Sequence, residues 1–275
     1  MTNSKEVGIV LDLDPELTKY KLNYKFQPTD SRDIIYKVPN TTNITPHNTF
    51  SLASKITTIR DQGSLGSCVS NAFSQYFSMG TSNKVNISRL YHYYTGRLIS
   101  GLSNLDDSGL YVRDACKIVS KAGACQETLW SYNVNNFAVM PPLECFQGSK
   151  FFQSYSYSSI PQTVTAITSF LDTQGKPVVF GLTVYDSFMT STVSRTGIVP
   201  MPNTNNESVQ GGHCMLIVGY DSNDQLFLCV NSWGNAWGCS STGATTGSRG
   251  FCYLPYAYVT STSLCNDFWG LSFVF

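Results

Sequence analysis

The spacing of apolar residues changes along the chain, and this change is the strongest constraint on its fold. In the first part apolar positions recur at helical intervals, and the predicted helices cover a segment that starts at Cys68 and then residues 88–100, 110–123 and 162–173. In the second part turn residues separate strand-like runs at residues 176–185, 213–221, 225–233 and 249–259. Helices followed by antiparallel strands predict an α+β fold with two packed halves and a cleft between them.

The first 50 residues follow neither pattern. They contain a weak strand or helix signal in GIVLDLDPELTKY and then a stretch rich in Pro, Asn and Thr, KVPNTTNITPHNT. Long stretches without a regular pattern do not usually form a packed domain of their own. We therefore predict an extended arm over residues 1–50 and a folded domain over residues 51–275, with a helical lobe at about 51–155 and a β lobe at about 156–275.

Charge and hydropathy disfavour several classes of partner. The 18 Lys and Arg residues balance the 18 Asp and Glu residues, so the formal net charge is zero. A neutral chain lacks the basic surface that binds nucleic acids or anionic membranes. No stretch approaches the roughly 18–20 apolar residues that cross a bilayer, and the N-terminus lacks a signal-peptide cleavage pattern. We expect a soluble, intracellular monomer that binds neither nucleic acid nor membrane.

The chain has nine cysteines. An odd number fits one functional thiol plus eight others, and it equally fits nine buried free thiols. No two cysteines have the C-x-x-C spacing of a zinc knuckle or a thioredoxin-type redox pair, so neither a metal nor a cofactor is predicted. Every cysteine except Cys68 is expected to be a structural thiol.

Cys68 occupies a position where a thiol becomes reactive. It ends the turn DQGSLGSC and precedes the helical stretch VSNAFSQYFSM. The positive end of a helix dipole and its unpaired N–H groups lower the pKa of a thiol placed there. A thiolate nucleophile also needs a cationic partner that can protonate the leaving group, and histidine does both near neutral pH.

One of the three histidines stands out as that partner. His47 lies in the arm and His92 lies in the aromatic run YHYY, so both are expected to be solvated or packing residues. His213 follows two glycines and opens the apolar strand CMLIVGY. A histidine at a strand end is by itself more often structural, and the prediction depends on what surrounds it.

Two further polar residues complete a catalytic set. Asn231 comes one hairpin after His213, in NSWGNAWG, where it can orient the imidazole while Trp233 and Trp237 shield that hydrogen bond from water. Gln62 comes six residues before Cys68, across a turn that Gly63 and Gly66 allow to fold tightly. Its amide and the N–H of Cys68 are two donors for a developing oxyanion. Together the four residues predict acyl transfer by a cysteine nucleophile.

These residues resemble the papain-like cysteine peptidases, whose signature has the order QGSLGSC, GGHCMLIVGY and NSWGNAWG in this chain. The resemblance covers roughly residues 25–275. It implies a two-lobed fold with a helical left lobe, an antiparallel β-barrel-like right lobe and the active-site cleft between them. It implies Cys68 as nucleophile, His213 as its ion-pair partner, Asn231 as the residue that orients His213, and Gln62 in the oxyanion hole. The substrate-binding residues that it implies are Gly66, Gly109, Gly212, Trp233 and Trp237.

The departures from this family are informative. Leu65 and Val69 stand where papain has Cys and Trp, and losing that cysteine implies that a disulfide of the secreted members is missing. The pattern resembles compact microbial members, and endopeptidase activity on proteins or peptides bound extended in the cleft is the default expectation. The arm precedes the domain where family members carry an inhibitory propeptide, so we expect it to lie across or beside the cleft.

Two other classes of function stay open from the sequence. A catalytically inactive relative could use the cleft to bind peptides, although all four catalytic-type residues are present. A transglutaminase or a deubiquitinating enzyme also uses Cys–His chemistry, but NSWG and the closing strands favour the peptidase.

Overall fold

The structure, a computed structural model, describes residues 11–39, 47–151, 154–244 and 247–273. Part of the Pro-, Asn- and Thr-rich stretch of the arm, residues 40–46, therefore lies outside the described residues. The described part of the arm contains a 3-10 helix at Pro15–Lys19, which Asp14 caps by accepting a hydrogen bond from the Glu16 N–H at 3.0 Å. After this turn the arm runs extended past the turn that carries Cys68 and along both walls of a groove.

The helices of the first half pack around one central helix. Helix α1 (Cys68–Gly80) is buried along almost its whole length and contacts α2 (Arg89–Ile99), α3 (Val112–Lys121) and the sheet. Ser88 caps α2, because its hydroxyl accepts from the Tyr91 N–H at 3.1 Å. The remaining helices are α4 (Leu143–Gly148), α5 (Val164–Gln174), α6 (Ser191–Thr196) and α7 (Tyr256–Thr260).

One antiparallel sheet forms the other half. In the described part of the chain it has seven strands in the order β2-β7-β3-β4-β5-β6, and β1 pairs with β4. The strands are β1 (Thr49–Ser51), β2 (Ser154–Ser159), β3 (Val178–Tyr185), β4 (Val209–Asp221), β5 (Leu226–Val230), β6 (Phe251–Pro255) and β7 (Cys265–Phe273). The α+β fold class predicted from the sequence is confirmed.

Each predicted helix and strand has a counterpart in the structure, but the run at 249–259 differs in part, and β1, β2, α4 and α6 were not predicted. The run at 249–259 is only half strand, because Pro255 ends β6 and the next five residues form α7. Proline has no N–H to continue the ladder. Strand β2 was missed because its sequence SYSYSS alternates serine with tyrosine rather than presenting aliphatic residues. It lies at the edge of the sheet and pairs with β7.

Helix α1 joins the helical half to the sheet, and this contact positions the nucleophile. The Tyr76 hydroxyl donates to the Leu271 carbonyl at 3.0 Å and accepts from the Leu271 N–H at 2.8 Å. Two turns earlier, the N-terminus of the same helix points at β4. None of the helices in the described ranges has the length and apolar character to cross a bilayer.

Candidate active site

Cys68 is the first residue of α1 and is fully buried. Its thiol faces the backbone N–H groups of Val69 and of Cys214, which lower its pKa. Burial has a larger opposite effect and raises the pKa of Cys68 to about 12. The sequence predicted a lowered pKa from the helix start alone, and in the covered cleft the opposite effect of burial is larger. The helix N-terminus contributes as expected, but burial outweighs it.

His213 and Asn231 are brought together by the pairing of β4 with β5. The Nε2 atom of His213 lies 2.7 Å from Oδ1 of Asn231, and that oxygen also accepts from the Ser232 N–H at 2.7 Å. Because Oδ1 accepts both bonds, Nε2 carries the ring proton and Nδ1 of the neutral ring carries a lone pair. Among the described residues, none forms a hydrogen bond with this buried Nδ1. The imidazole is thus oriented with one nitrogen available for a proton.

The nucleophile lies close to the strand that carries the imidazole, because the thiol of Cys68 contacts the N–H of Cys214, the residue that follows His213. One indole packs beside the ring, and a second indole packs on the first. Trp233 lies 5.1 Å from His213 and 5.1 Å from Trp237, measured between ring centroids, and both tryptophans are buried. Burial lowers the pKa of His213 to about 4, and its bond to Asn231 opposes that shift. Burial therefore disfavours the charged form of both groups while the cleft is covered.

Gln62 is fully buried beside the nucleophile turn. Its N–H donates to the Ser232 carbonyl at 2.8 Å, and its Oε1 accepts from the Ser232 hydroxyl at 2.9 Å. These bonds turn the side-chain amide so that Nε2 donates to the carbonyls of Leu65 and Lys21, each at 3.1 Å. The second acceptor belongs to the arm, so a main-chain carbonyl occupies the donor that the sequence analysis assigned to an oxyanion.

The arm passes through the groove with its backbone paired to both walls. The N–H of Tyr24 donates to the Gly212 carbonyl at 2.9 Å, and the N–H of Lys25 donates to the Leu110 carbonyl at 3.2 Å. Both pairings are parallel bridges. An extended strand therefore fills the space between the Gly212 wall and the Leu110 wall, which is the extended pose that the sequence analysis expected of a substrate.

Two tyrosines anchor this strand. Tyr20 stacks on Trp233 at 4.9 Å between centroids, with 9° between the ring planes, and its hydroxyl donates to the Trp233 carbonyl at 2.9 Å. Tyr24 donates its hydroxyl to Oδ2 of Asp267 at 2.6 Å, and the N–H of Gln27 donates to the same oxygen at 3.2 Å. Burial raises the pKa of both Tyr24 and Asp267.

Three of the predicted substrate-binding glycines line this groove. A Cβ on Gly66 or on Gly109 would overlap Asn23 of the arm, and one on Gly212 would overlap the Tyr24 carbonyl. Gly109 was expected to bind the substrate, but its N–H is not available to the arm, because it donates to the Tyr93 hydroxyl at 3.0 Å. On this wall the arm instead uses the carbonyl of the next residue, Leu110.

Sequence reasoning missed the residues that hold the arm: Tyr20, Lys21, Tyr24, Asp107 and Asp267. One signal was present, because the segment YKLNY alternates Tyr20, Leu22 and Tyr24 with polar residues, as an extended strand does. The other two histidines lie outside the site. His92 is buried against Phe73, with ring centroids 4.9 Å apart, and is a packing residue as predicted.

The two buried histidines predict a loss of stability in acid. Burial lowers the pKa of His92 and of His213 to about 4, from an ordinary value near 6.5. An unfolded chain takes up these protons as the pH falls below about 6.5, whereas the folded chain does not until about 4. The stabilisation is therefore complete above about pH 6.5 and is lost between there and about pH 4. We expect the free energy of unfolding to fall by up to about 3 kcal/mol per histidine, measured by urea denaturation.

Two variants distinguish this cause from general acid denaturation. His92→Gln removes one titrating group and is expected to reduce the pH dependence substantially. His47→Gln changes an exposed histidine and is the matched control. An unchanged pH dependence in His92→Gln would contradict the assignment.

Comparison with known proteins agrees with this architecture. A model of the papain family of cysteine proteases matches residues 47–252. An uncharacterized peptidase C1-like protein of Acanthamoeba polyphaga mimivirus is 35% identical over 221 residues, which cover 76% of this chain and 68% of the viral protein. Xylellain, a cysteine protease from Xylella fastidiosa, matches with a TM-score of 0.83 at 29% identity, over 93% of this chain and 97% of xylellain.

More distant structures share the fold. Procathepsin B from Trypanosoma congolense matches with a TM-score of 0.68 at 14% identity, over 94% of this chain and 88% of the procathepsin. The family match covers most of the chain, and the viral relative exceeds 30% identity over a similar share. On these grounds the chain belongs to the papain family of cysteine proteases and is a peptidase.

Proposed function

We propose that this peptidase is an endopeptidase that works through a Cys68 thiolate, a His213 imidazolium and an acyl-enzyme intermediate, and that its arm keeps it latent. The catalytic part of this proposal rests on the oriented imidazole. Asn231 holds its Nε2–H, and its buried Nδ1 has no hydrogen-bond partner among the described residues. The thiol of Cys68 contacts the N–H of the next residue along the strand, Cys214. Transfer of the thiol proton to Nδ1 gives the reactive ion pair. The surrounding tryptophans keep water from the His213–Asn231 bond.

The reaction follows from this geometry. The Cys68 sulfur attacks the scissile carbonyl, and the resulting oxyanion is stabilised by Nε2–H of Gln62 and the N–H of Cys68. The protonated His213 then donates its Nδ1 proton to the leaving amine as the C–N bond breaks. Water, deprotonated by the neutral imidazole, attacks the thioester and releases the acyl half of the substrate. Asn231 holds the ring in place through both proton transfers.

The chemistry also fixes the direction in which a substrate must lie. The leaving amine must be near His213, so the residue after the scissile bond lies toward Trp233. The residue that supplies the carbonyl then lies toward the opposite wall, with Gly66 and Gly109. A productive substrate therefore runs from the Gly109 wall to the Trp233 wall in the N-to-C direction.

The arm runs the other way, and this supports the proposal of latency. Its carbonyl at Gln62 belongs to Lys21, and the preceding residue, Tyr20, stacks on Trp233. The following residues lead to the Gly109 wall, where Asn23 lies. The amide nitrogen after Lys21 thus points away from His213, so the bond is not positioned for cleavage. An arm in this direction blocks the donor and the groove without being a substrate.

A covalent probe tests the catalytic assignment. The full chain, with the arm weakened by Tyr24→Ala, is treated with an epoxysuccinyl peptide and then digested and analysed by mass spectrometry. We expect one adduct, on the peptide that contains Cys68, because the other eight cysteines are buried outside the groove or lack an activating base. Complete loss of labelling in His213→Ala is the expected control.

Two outcomes would contradict the proposal. An adduct that persists in Cys68→Ala would place the nucleophile elsewhere. A folded Tyr24→Ala protein that binds peptides but forms no adduct would identify a peptide-binding module without catalysis.

A further inference from the structure

The carboxylate of Asp107 lies on the wall of the groove next to the nucleophile turn. Its two oxygens accept from the N–H of Gly66 at 3.0 and 3.1 Å, and Oδ1 also accepts from the Tyr93 hydroxyl at 2.5 Å. The side chain is 8% exposed. Since the Tyr93 hydroxyl also accepts from the Gly109 N–H at 3.0 Å, the carboxylate is fixed between the turn that carries Cys68 and the Gly109 wall.

One residue of the arm contacts both this carboxylate and the oxyanion donor. The Nζ atom of Lys21 lies 3.0 Å from Oδ2 of Asp107, and the carbonyl oxygen of Lys21 lies 3.1 Å from Nε2 of Gln62. The neighbouring arm residue Asn23 reinforces the contact, because its Nδ2 donates to the Asp107 carbonyl at 2.8 Å. A lysine side chain is therefore long enough to join a carbonyl at Gln62 to the Asp107 carboxylate.

Movement of the arm out of the groove separates Asp107 from its cation. A second cation near Asp107, Arg97, is buried and donates to the carbonyls of Asn104 and Asp106, so its guanidinium is engaged with the main chain of the same loop. A carboxylate that is mostly buried and lacks a paired cation is unfavourable. The open groove thus presents a negative charge next to the nucleophile turn.

A substrate residue with a cationic side chain can replace Lys21. The residue that supplies the scissile carbonyl enters from the Gly109 wall, so its Cα lies on the same side of the groove as Asp107. Lysine and arginine have the reach and the charge to pair with the carboxylate, and an aliphatic side chain of the same length leaves it unpaired. An acidic side chain there would place two like charges together.

We propose that Asp107 is a specificity-determining residue that selects lysine or arginine at the substrate residue donating the scissile carbonyl. This inference rests on the proposed function of the groove as the endopeptidase site. It assigns the substrate class as peptides and proteins with a basic residue on the acyl side of the cleaved bond.

The test compares peptides that differ at this one residue. The full chain carrying Tyr24→Ala is assayed with fluorogenic peptides that have lysine, arginine, norleucine or glutamate there. Norleucine matches the aliphatic part of the lysine side chain without its charge. We expect kcat/KM to be about tenfold higher for lysine and arginine than for norleucine, and lowest for glutamate, since a charge-assisted hydrogen bond in a partly buried site is worth roughly this factor.

Substitutions then assign the preference to Asp107. Asp107→Asn keeps an acceptor for Gly66 and Tyr93 but removes the charge, and the lysine-to-norleucine ratio is expected to fall to about one. Asp107→Glu keeps the charge and is expected to keep a preference. Asp106→Asn, which neutralises the exposed neighbouring carboxylate, is the matched control and is expected to keep the full ratio.

The possible outcomes distinguish failure of the inference about Asp107 from failure of the proposed function. If the norleucine peptide is cleaved but lysine gives no advantage, or if the advantage survives in Asp107→Asn, the inference is overturned and the proposed function stands. If none of the peptides is cleaved by the folded Tyr24→Ala protein, the proposed function fails and the inference fails with it.

Discussion

Replacing Cys68 by alanine is expected to lower kcat for a peptide substrate by at least about four orders of magnitude, because removal of a nucleophile leaves only the stabilisation supplied by binding and by the oxyanion hole. The comparison is made within the Tyr24→Ala background, so that covering of the groove does not mask the loss. Alanine is a good helix former, and at the first position of α1 it preserves the helix. The effect should therefore appear in kcat without unfolding the protein.

Cys116→Ala is the matched control for this substitution. Cys116 is also a fully buried thiol on a helix, α3, and it has no part in the proposed reaction. Its loss removes a small buried group and should cost about 1 kcal/mol of stability, with kcat changed less than about twofold. Residual activity in Cys68→Ala above about a thousandth of the parent would contradict the assignment of the nucleophile.

Two pairings within the site, Gln62 with Cys68 and His213 with Asn231, could be predicted because each joins residues that are near each other in the sequence. A turn followed by a helical pattern placed Cys68 at a helix start. A hairpin between two apolar runs placed Asn231 beside His213, and the structure has the hydrogen bond between them at 2.7 Å. Gln62 needed only the tight turn that the glycines provide. Motif spacing and the pairing of neighbouring strands are therefore enough to predict which of these residues lie next to each other.

The ionisation states could not be predicted in this way, because they depend on burial by distant residues. The helix start alone indicates a lowered thiol pKa, yet burial raises the pKa of Cys68 to about 12. The covering comes from arm residues more than 40 positions earlier in the chain. No residue near Cys68 in the sequence indicates that the arm fills the groove.

The contacts that hold the arm could not be predicted from the sequence for the same reason, because they also join distant residues. Tyr24 and Asp267 are 243 residues apart in the chain and meet only because β7 lies beside β3 in the sheet. Lys21 and Asp107 pair across the groove in the same manner. The position and composition of the arm in the sequence suggested that it covers the cleft. The direction in which it runs and the residues that it contacts could be known only from the structure.

Weakening the binding of the arm in the groove is expected to raise the rate of peptide hydrolysis strongly. Tyr24→Ala removes an aromatic ring that packs against Gly181 and donates to Asp267. Truncating a fully buried aromatic side chain costs about 3–5 kcal/mol, and the partly buried Tyr24 ring is expected to lie at the lower end of this range. If the covered state loses this amount relative to the open state, the open fraction rises by about two orders of magnitude or more until it saturates. We expect the rate of peptide hydrolysis by the full chain to rise by about 100-fold.

Tyr24→Phe provides a graded test of the same contact. It keeps the ring and removes only the hydroxyl that donates to Asp267, a hydrogen bond to a charged group worth about 1.5–3 kcal/mol. The expected rate increase is about tenfold, intermediate between wild type and Tyr24→Ala. A similar rise in both variants would mean that the ring itself contributes little to covering the groove.

Tyr36→Ala is the control for a general effect of disturbing the arm. Tyr36 also belongs to the arm, but its hydroxyl contacts Ser169 and Thr173 on α5 and its ring packs on Phe170, away from the groove. Its loss should lower stability without opening the cleft. If the segment that fills the groove causes the latency, Tyr24→Ala should raise the peptidase activity and Tyr36→Ala should leave it unchanged. Equal activity in wild type and Tyr24→Ala, both folded and both able to cleave peptides, would show that the arm does not limit the enzyme, because a filled groove and an open one cannot bind the same substrate equally well.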